Sequence, residues 1–215
     1  MQFLFGQSDA SMTMILFAKP SADHIRGFLA RQQGQPFSYP EVGASRGPPP
    51  PGYCVDHRRT RLGTGRDDFE RSREALRRWE MFRLGWVEAC PDRAAIEPGT
   101  TVAVTAGRCG LWTLNACRIV YTIDEDESEG KDGARRFGFA YGTLPDHVER
   151  GEERFSVEWR REDDSVWYDL WSFSWPNHFI AQCGYPFVRR VQKRFAIDSA
   201  RAMERAVREA ACTSA

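Results

Sequence analysis

The 215-residue chain lacks any apolar run approaching the ~18–20 residues needed to span a bilayer, so no transmembrane segment is expected. It also lacks a charge excess. Thirty basic residues balance thirty acidic ones, which excludes a bulk attraction to nucleic acid or anionic membrane and leaves only local basic stripes. Cysteine and histidine are sparse. The six Cys are irregularly spaced with no CxxC, and none of the four His accompanies a Cys pair. That pattern disfavours a zinc site and a disulfide scaffold, and reads as reduced thiols in a cytoplasmic protein. Cys109 and Cys117 could meet across a hairpin, but a disulfide there is disfavoured. No phosphate-binding motif is present. Gly63-Thr-Gly65 lacks the third glycine of a dinucleotide fingerprint and the Lys-Ser/Thr of a P-loop, so it reads as a structural turn. No cofactor and no metal are expected. The apolar start has no basic n-region, which argues against a secretory signal, and residues 1–13 read as disordered or as a mis-called start.

Aromatic residues are plentiful at 13%, with four of seven Trp between Trp159 and Trp175. Ser21 to Gln33 reads as a first helix, capped by Ser21 and ended by Gly34. Residues 14–47 are thus a helix and an extended arm that includes Pro36-Phe-Ser-Tyr-Pro. A stiff proline-rich linker at 48–52 follows, and the main domain is expected over 53–210. Tyr53–Leu62 reads as a strand. A helix with an Asp67/Glu70 capping box is expected to run to Phe82. Strands are then expected at Trp86–Cys90, Thr100–Arg108, Trp112–Ile123, Phe137–Leu144, Glu149–Trp159 and Val166–Trp175, with an acidic loop at Asp124–Gly133. One long amphipathic helix closes the chain, about Tyr185 to Arg208.

Short strand-to-strand connections demand an antiparallel sheet, and segregated helices make the class α+β. A sheet of about six to seven strands followed by one long helix must bury a face against that helix, and a cavity remains wherever the two do not meet. This order resembles the helix-grip fold of the START and birch-pollen-allergen-like superfamily, also called SRPBCC. The local wording is similar to a bacterial and plant family catalogued as a domain of unknown function. The matching segments include PFSYPEVGAS (Pro36–Ser45), LGTGRDDFERSREALRRWEMF (Leu62–Phe82), IEPGTTVAV (Ile96–Val104), LWTLNACRIVY (Leu111–Tyr121), RFGFAYGTLPDHVERGEERFSVEW (Arg136–Trp159) and GYPFVRRVQKRFAIDSARAM (Gly184–Met203). The superfamily resemblance implies a pocket for lipids, hormones or polyketides, with catalysis in some members. The family resemblance implies no particular activity.

Strict alternation puts Glu153 on one face with Phe155, Val157 and Trp159, and Asp169 on one face with Trp167, Trp171 and Phe173. Both faces are apolar enough to look inward, and an inward carboxyl needs a partner or a raised pKa. The two together could act as general acid and base, with His147 at the pocket mouth. The plainer alternative pairs each with Arg118, Arg154 or a Tyr hydroxyl. Asn115, Cys117, Ile119 and Tyr121 alternate on the central strand. Cys117 has no identifiable base and reads as inert core. Arg189, Arg190, Lys193 and Arg194 form a basic cluster opposite Val188, Val191 and Phe195. It reads as a solvated face or as a surface for acidic headgroups or a partner.

The leading expectation is a binding protein for an apolar or amphipathic small molecule or lipid. Phe139, Tyr141, Trp167 and Trp171 would supply contact area, and Asn115, Tyr121, Glu153 and Asp169 orientation. One alternative is a metal-free acid/base enzyme using Glu153 and Asp169. The other is an interaction module with a collapsed cavity, docking through residues 36–42 or the basic helix. Stacking of nucleic-acid bases is disfavoured by the acids beside the Trp residues.

Overall fold

The computed structural model describes residues 14–108, 110–127, 133–176 and 185–213. Residues 1–13 and Cys109, on which two of the expectations above rest, lie outside them, as does part of the acidic loop.

The chain order is β1 (Met14–Leu16), α1 (Ala22–Gln32), β2 (Cys54–Thr64), α2 (Gly65–Arg77), β3 (Val87–Cys90), β4 (Thr101–Arg108), β5 (Leu111–Asp126), β6 (Ala134–Thr143), β7 (Glu149–Arg160), β8 (Ser165–Pro176) and α3 (Tyr185–Thr213). Every strand pairing is antiparallel, and the sheet runs β2-β8-β7-β6-β5-β4-β3. The short β1, which sequence patterning missed, pairs with the start of β5 at Met14↔Leu114. This is an α+β helix-grip arrangement. A curled antiparallel sheet holds a long C-terminal helix on its inner face.

The helix limits follow from local chemistry. The Ser21 hydroxyl accepts the His24 N–H at 3.2 Å and caps α1, as its sequence implies. The α2 helix starts three residues earlier than the Asp67 capping box predicts, with Thr64 at the N-cap. Its Asp68 carboxylate reaches back to the Thr64 N–H at 2.8 Å instead. It also stops at Arg77 rather than Phe82. Trp79 adopts a left-handed conformation (φ 57°), and a short 3-10 turn, Glu80–Phe82, follows. That break turns Trp79, Met81 and Phe82 together into the core, where each is at most 1% exposed. A straight helix would carry one of them away.

The main core lies between the inner sheet face, α2 and the C-terminal half of α3. Phe139, Phe155, Val157, Tyr168 and Met203 are fully buried there. Small residues on α3 allow a close approach: Ser199 and Ala200 are buried, and the Tyr168 hydroxyl meets Ser199 Oγ at 2.8 Å. The N-terminal half of α3 carries larger side chains. Val188, Val191 and Phe195 are only half-buried, so the helix stands off the sheet at that end.

The outer sheet face is covered as well. Ile25 and Phe28 of α1 pack on Ala103, Leu114, Ala116 and Leu144. The arm continues this layer. Arg118 donates to the carbonyls of Gln32 (2.9 Å) and Gln35 (2.7 Å), and Tyr39 packs edge-on against Phe173 at 5.7 Å. Gly142 lies beneath Tyr39, and a Cβ there would run into the tyrosine hydroxyl. The Glu152 side chain, 2% exposed, secures the arm. It accepts the Tyr39 hydroxyl (2.7 Å), the Gly43 N–H (2.7 Å), the Ser45 N–H (2.9 Å) and the Ser45 hydroxyl. Both faces of β7 and β8 are therefore buried, which decides the site described next.

Candidate functional site

Where α3 stands off the sheet, a cavity of about 990 Å³ opens. Its body is apolar. Phe82 comes from the 3-10 turn, Trp86 from the approach to β3, Val104 from β4, Leu170 from β8, and Val191 and Phe195 from α3. One end is polar, and sheet register explains why. Asp56 of β2 and Glu153 of β7 both pair with Ser172 of β8, and Glu153 pairs in turn with Tyr141 of β6. Directly opposed residues share a face, so Asp56, Ser172, Glu153 and Tyr141 form one row across four strands. Glu149 lies two positions further along the same face of β7, beyond Gly151.

Few partners serve this row. The Tyr141 hydroxyl donates to Glu153 Oε2 at 2.7 Å. Gln192 of α3 donates to Glu149 Oε1 (2.6 Å) and to Ser174 Oγ (2.9 Å). Arg189 of α3 grips Asp56 through both terminal nitrogens, with Nη2 to Oδ1 at 2.7 Å. Among the described residues, a guanidinium is bonded directly to Asp56 and to neither Glu149 nor Glu153.

The ionisation follows from that imbalance. Burial is the main force raising Glu153 to about 8. The charges of Glu149 and Asp56 push it the same way, and the Tyr141 hydrogen bond opposes them. Burial likewise raises Glu149 to about 7. Asp56 repels its charge, while Gln192 and the Arg189 charge counteract part of this. The two carboxyls act on one another and titrate as a pair, which retains at least one proton near neutrality. Tyr141 is itself held well above its ordinary value by burial and by the Glu153 charge, so its hydroxyl stays a donor. The cavity end thus presents carboxylate acceptors, a carboxylic acid and a phenol inside an apolar chamber.

The residues singled out from sequence divide between two faces. Glu153, Tyr141, Asn115 and His147 line the cavity. Asn115 also holds the chain behind Leu144: its Oδ1 accepts the Val148 N–H at 3.3 Å, and its Nδ2 donates to the Val104 carbonyl at 3.3 Å. The Nδ1 atom of His147 accepts the Glu149 N–H at 3.0 Å. Phe139 points inward but is fully buried, with its ring 4.9 Å from Trp79, so it fills core and not cavity. Cys117 is also fully buried, and burial holds its thiol well above the ordinary value, so it stays protonated.

Asp169, Trp167, Trp171 and Tyr121 require correction, because they lie on the outer face. The odd positions of β8 do share a face, but Val166, Tyr168 and Leu170 are the residues that join the inner core. Asp169 is bonded outside to His57 Nε2 (2.7 Å) and Arg154 Nη2 (3.2 Å). The guanidiniums of Arg59 and Arg154 cover Trp167 and Trp171 at 5.1 and 5.6 Å. The expected Glu153/Asp169 pair is therefore divided by the sheet. Tyr121 is turned outward by a bulge. Register slips between Ile119↔Tyr141 and Tyr121↔Ala140, which moves Tyr121 to the opposite face. Its hydroxyl meets Ser45 Oγ at 2.6 Å.

Asp56, Glu149 and Gln192 were missed. Glu149 carried a signal, since it alternates with Glu153. Asp56 and Gln192 carried none, because strand register and helix placement bring them in. The arm aromatics are spent on the protein's own sheet, with Tyr39 3% exposed, so residues 36–42 do not present the exposed aromatic patch that a docking arm needs. Among the described residues no helix is long and apolar enough to cross a membrane, and no three His, Cys, Asp or Glu side chains converge to share a metal ion.

The chain is thus a helix-grip α+β protein with an apolar cavity beneath its last helix and an acidic, tyrosine-bearing end to that cavity. It belongs to the family described as domain of unknown function DUF1990, which it matches over residues 38–202. It is 35% identical to the UPF0548 protein of Dictyostelium discoideum, covering 90% of this chain and 96% of that protein. Identity to the UPF0548 protein of Deinococcus radiodurans is also 35%, covering 90% and 98%. Ara h 8.0201 aligns at 12% identity and a TM-score of 0.43, covering 74% of this chain and 99% of that one. A Thalictrum norcoclaurine synthase aligns at 13% identity and a TM-score of 0.43, covering 73% and 95%.

Proposed function

We propose that the protein binds an amphipathic small molecule or lipid between its sheet and α3. The observation that carries this reading is the cavity. Its volume of about 990 Å³ lies at the upper end of the ~300–1,000 Å³ range of ligand pockets, and apolar walls meet a few fixed polar groups at one end. The apolar body would lie against Phe82, Trp86, Val104 and Val191. The polar end would be a hydrogen-bond donor or protonated amine, because Glu149 and Glu153 offer acceptors that α3 leaves without a directly bonded cation. Asn115 and His147, which hold the chain just before Glu149, would help to orient it. We place this activity in the cytoplasm, on the grounds of scattered cysteines without a paired spacing. We further propose that residues 53–210 form the binding domain and that 14–47 act as a structural brace on its outer face.

A specific observation favours a second reading, acid/base catalysis. Glu149 and Glu153, raised to about 7 and about 8, would replace the divided Glu153/Asp169 pair. The open cavity speaks against the collapsed interaction module. The decisive experiment is native mass spectrometry of protein purified from its own host, followed by denaturing extraction. A reproducible bound small molecule supports the binding reading. An apo mass, together with no saturable uptake of Nile red, overturns it.

A further inference from the structure

We propose that the rim of the cavity docks onto an anionic membrane surface. The rim is built from four separate elements. Phe187 of α3 is 53% exposed, and the Arg108 guanidinium at the end of β4 lies 5.7 Å over its ring. Arg108 pairs in register with Leu111, the first residue of β5, which is 46% exposed. Leu16 pairs with Trp112, so the chain delivers Phe17, 88% exposed, beside Leu111. Phe187 thus stands on the cavity wall with Val188 and Val191, and Leu111 and Phe17 continue the apolar projection from the adjoining strand ends beside Arg108.

The charges on the first half of α3 are of one sign. No acid occurs between Tyr185 and Ile197, while Arg189, Arg190, Lys193 and Arg194 do. Arg189 is committed to Asp56 and Arg194 to Asp198, and Lys19 is held by Glu88. These pairs neutralise Asp56, Asp198 and Glu88. Arg108, Arg190 and Lys193 remain exposed around the apolar projections. Protruding apolar groups ringed by cations match an anionic bilayer, which takes up the former in its acyl boundary and the latter among its headgroups. A fluid surface also suits a rim drawn from four elements, whereas a protein partner would need one rigid acidic counterface. The zero net charge of the whole chain makes this attraction local. Docking would place the entrance against the phase in which an amphipathic ligand dissolves.

The test is sedimentation of the full-length protein with phosphatidylcholine vesicles, with and without phosphatidylserine. Association with the phosphatidylserine vesicles alone, released in ~0.5 M salt, is the expected result. Arg108→Gln combined with Arg190→Gln should lower partitioning about thirtyfold, from the attraction of two surface cations. Phe187→Ser with Leu111→Ser should also lower it, with an unchanged circular dichroism spectrum. No association with either vesicle, or full retention by both double variants, overturns the proposal. Tyr141→Phe separates it from the pocket reading. That variant should lose Nile red affinity while sedimenting like the wild type, so either reading can fail alone.

Discussion

Glu153→Gln should make the protein more stable at alkaline pH, although it alters a buried hydrogen-bonded side chain. Glutamine keeps an acceptor for the Tyr141 hydroxyl, so the 2.7 Å contact has a replacement. What it removes is a titration. The Glu153 carboxyl goes from an ordinary 4.5 to about 8 on folding. Between those values the folded chain holds a proton that the unfolded chain has released. Its contribution to stability is fully present below 4.5 and is lost as pH rises through 8. At about 1.4 kcal/mol per pH unit, that interval sets an upper limit of about 5 kcal/mol. That limit falls to about 4 kcal/mol between pH 5 and pH 9, and cavity water reaching the carboxylate reduces it further, so a loss of about 2–4 kcal/mol is expected from this group. The variant lacks this loss, and Glu149, relieved of its partner's charge, is pushed up less than in the wild type. Urea melts of wild type and variant at pH 5, 6, 7, 8 and 9 measure the difference directly. The variant's relative stability should climb steadily with pH. A difference flat to within about 0.5 kcal/mol across the series would refute the burial and repulsion assigned to Glu153.

Glu152→Ala should cost about 3–5 kcal/mol, because Tyr39, Gly43 and Ser45 lose their shared acceptor. Limited proteolysis should then cut the arm between Tyr39 and Tyr53, and an arm as resistant as wild type would contradict the brace. Gly142→Ala should cost about 1–3 kcal/mol by displacing the Tyr39 ring, readable as a lowered urea midpoint. Asp169→Asn and Trp167→Ala should change Nile red affinity by less than about twofold, since both residues face away from the cavity. A larger loss would return them to the site. Asp56→Asn should release Arg189 and raise amide exchange in the first turns of α3, with unchanged exchange pointing to some other anchor.

Strand and helix identities were legible because each carries its own period. The β-branched run at Thr101–Arg108, the alternation of β7 and the Ser21 cap are local signals, and they placed elements to within a few residues. The end of α2 was not legible. The pattern continues to Phe82, and only the turn at Trp79, whose indole donates to the Ala94 carbonyl at 2.9 Å, shows where the helix breaks. The candidate site was half legible. Glu153 and Tyr141 stand on strands with one clearly apolar row. Asp169, Trp167 and Trp171 misled because β8 is apolar on both faces.

Composition, periodicity and turn chemistry in the sequence determined that this chain makes an antiparallel α+β protein with a long closing helix and no bilayer-spanning run. Which face of β8 looks inward is a tertiary matter. It depends on the arm, anchored from Tyr39 to Ser45 on Glu152, covering the other face. The bulge that sends Tyr121 outward, and the register that lines up Asp56, Glu153 and Tyr141, belong to the assembled sheet as well. Alternation along one strand states which residues share a face. Only packing against a second layer states which face is the inside.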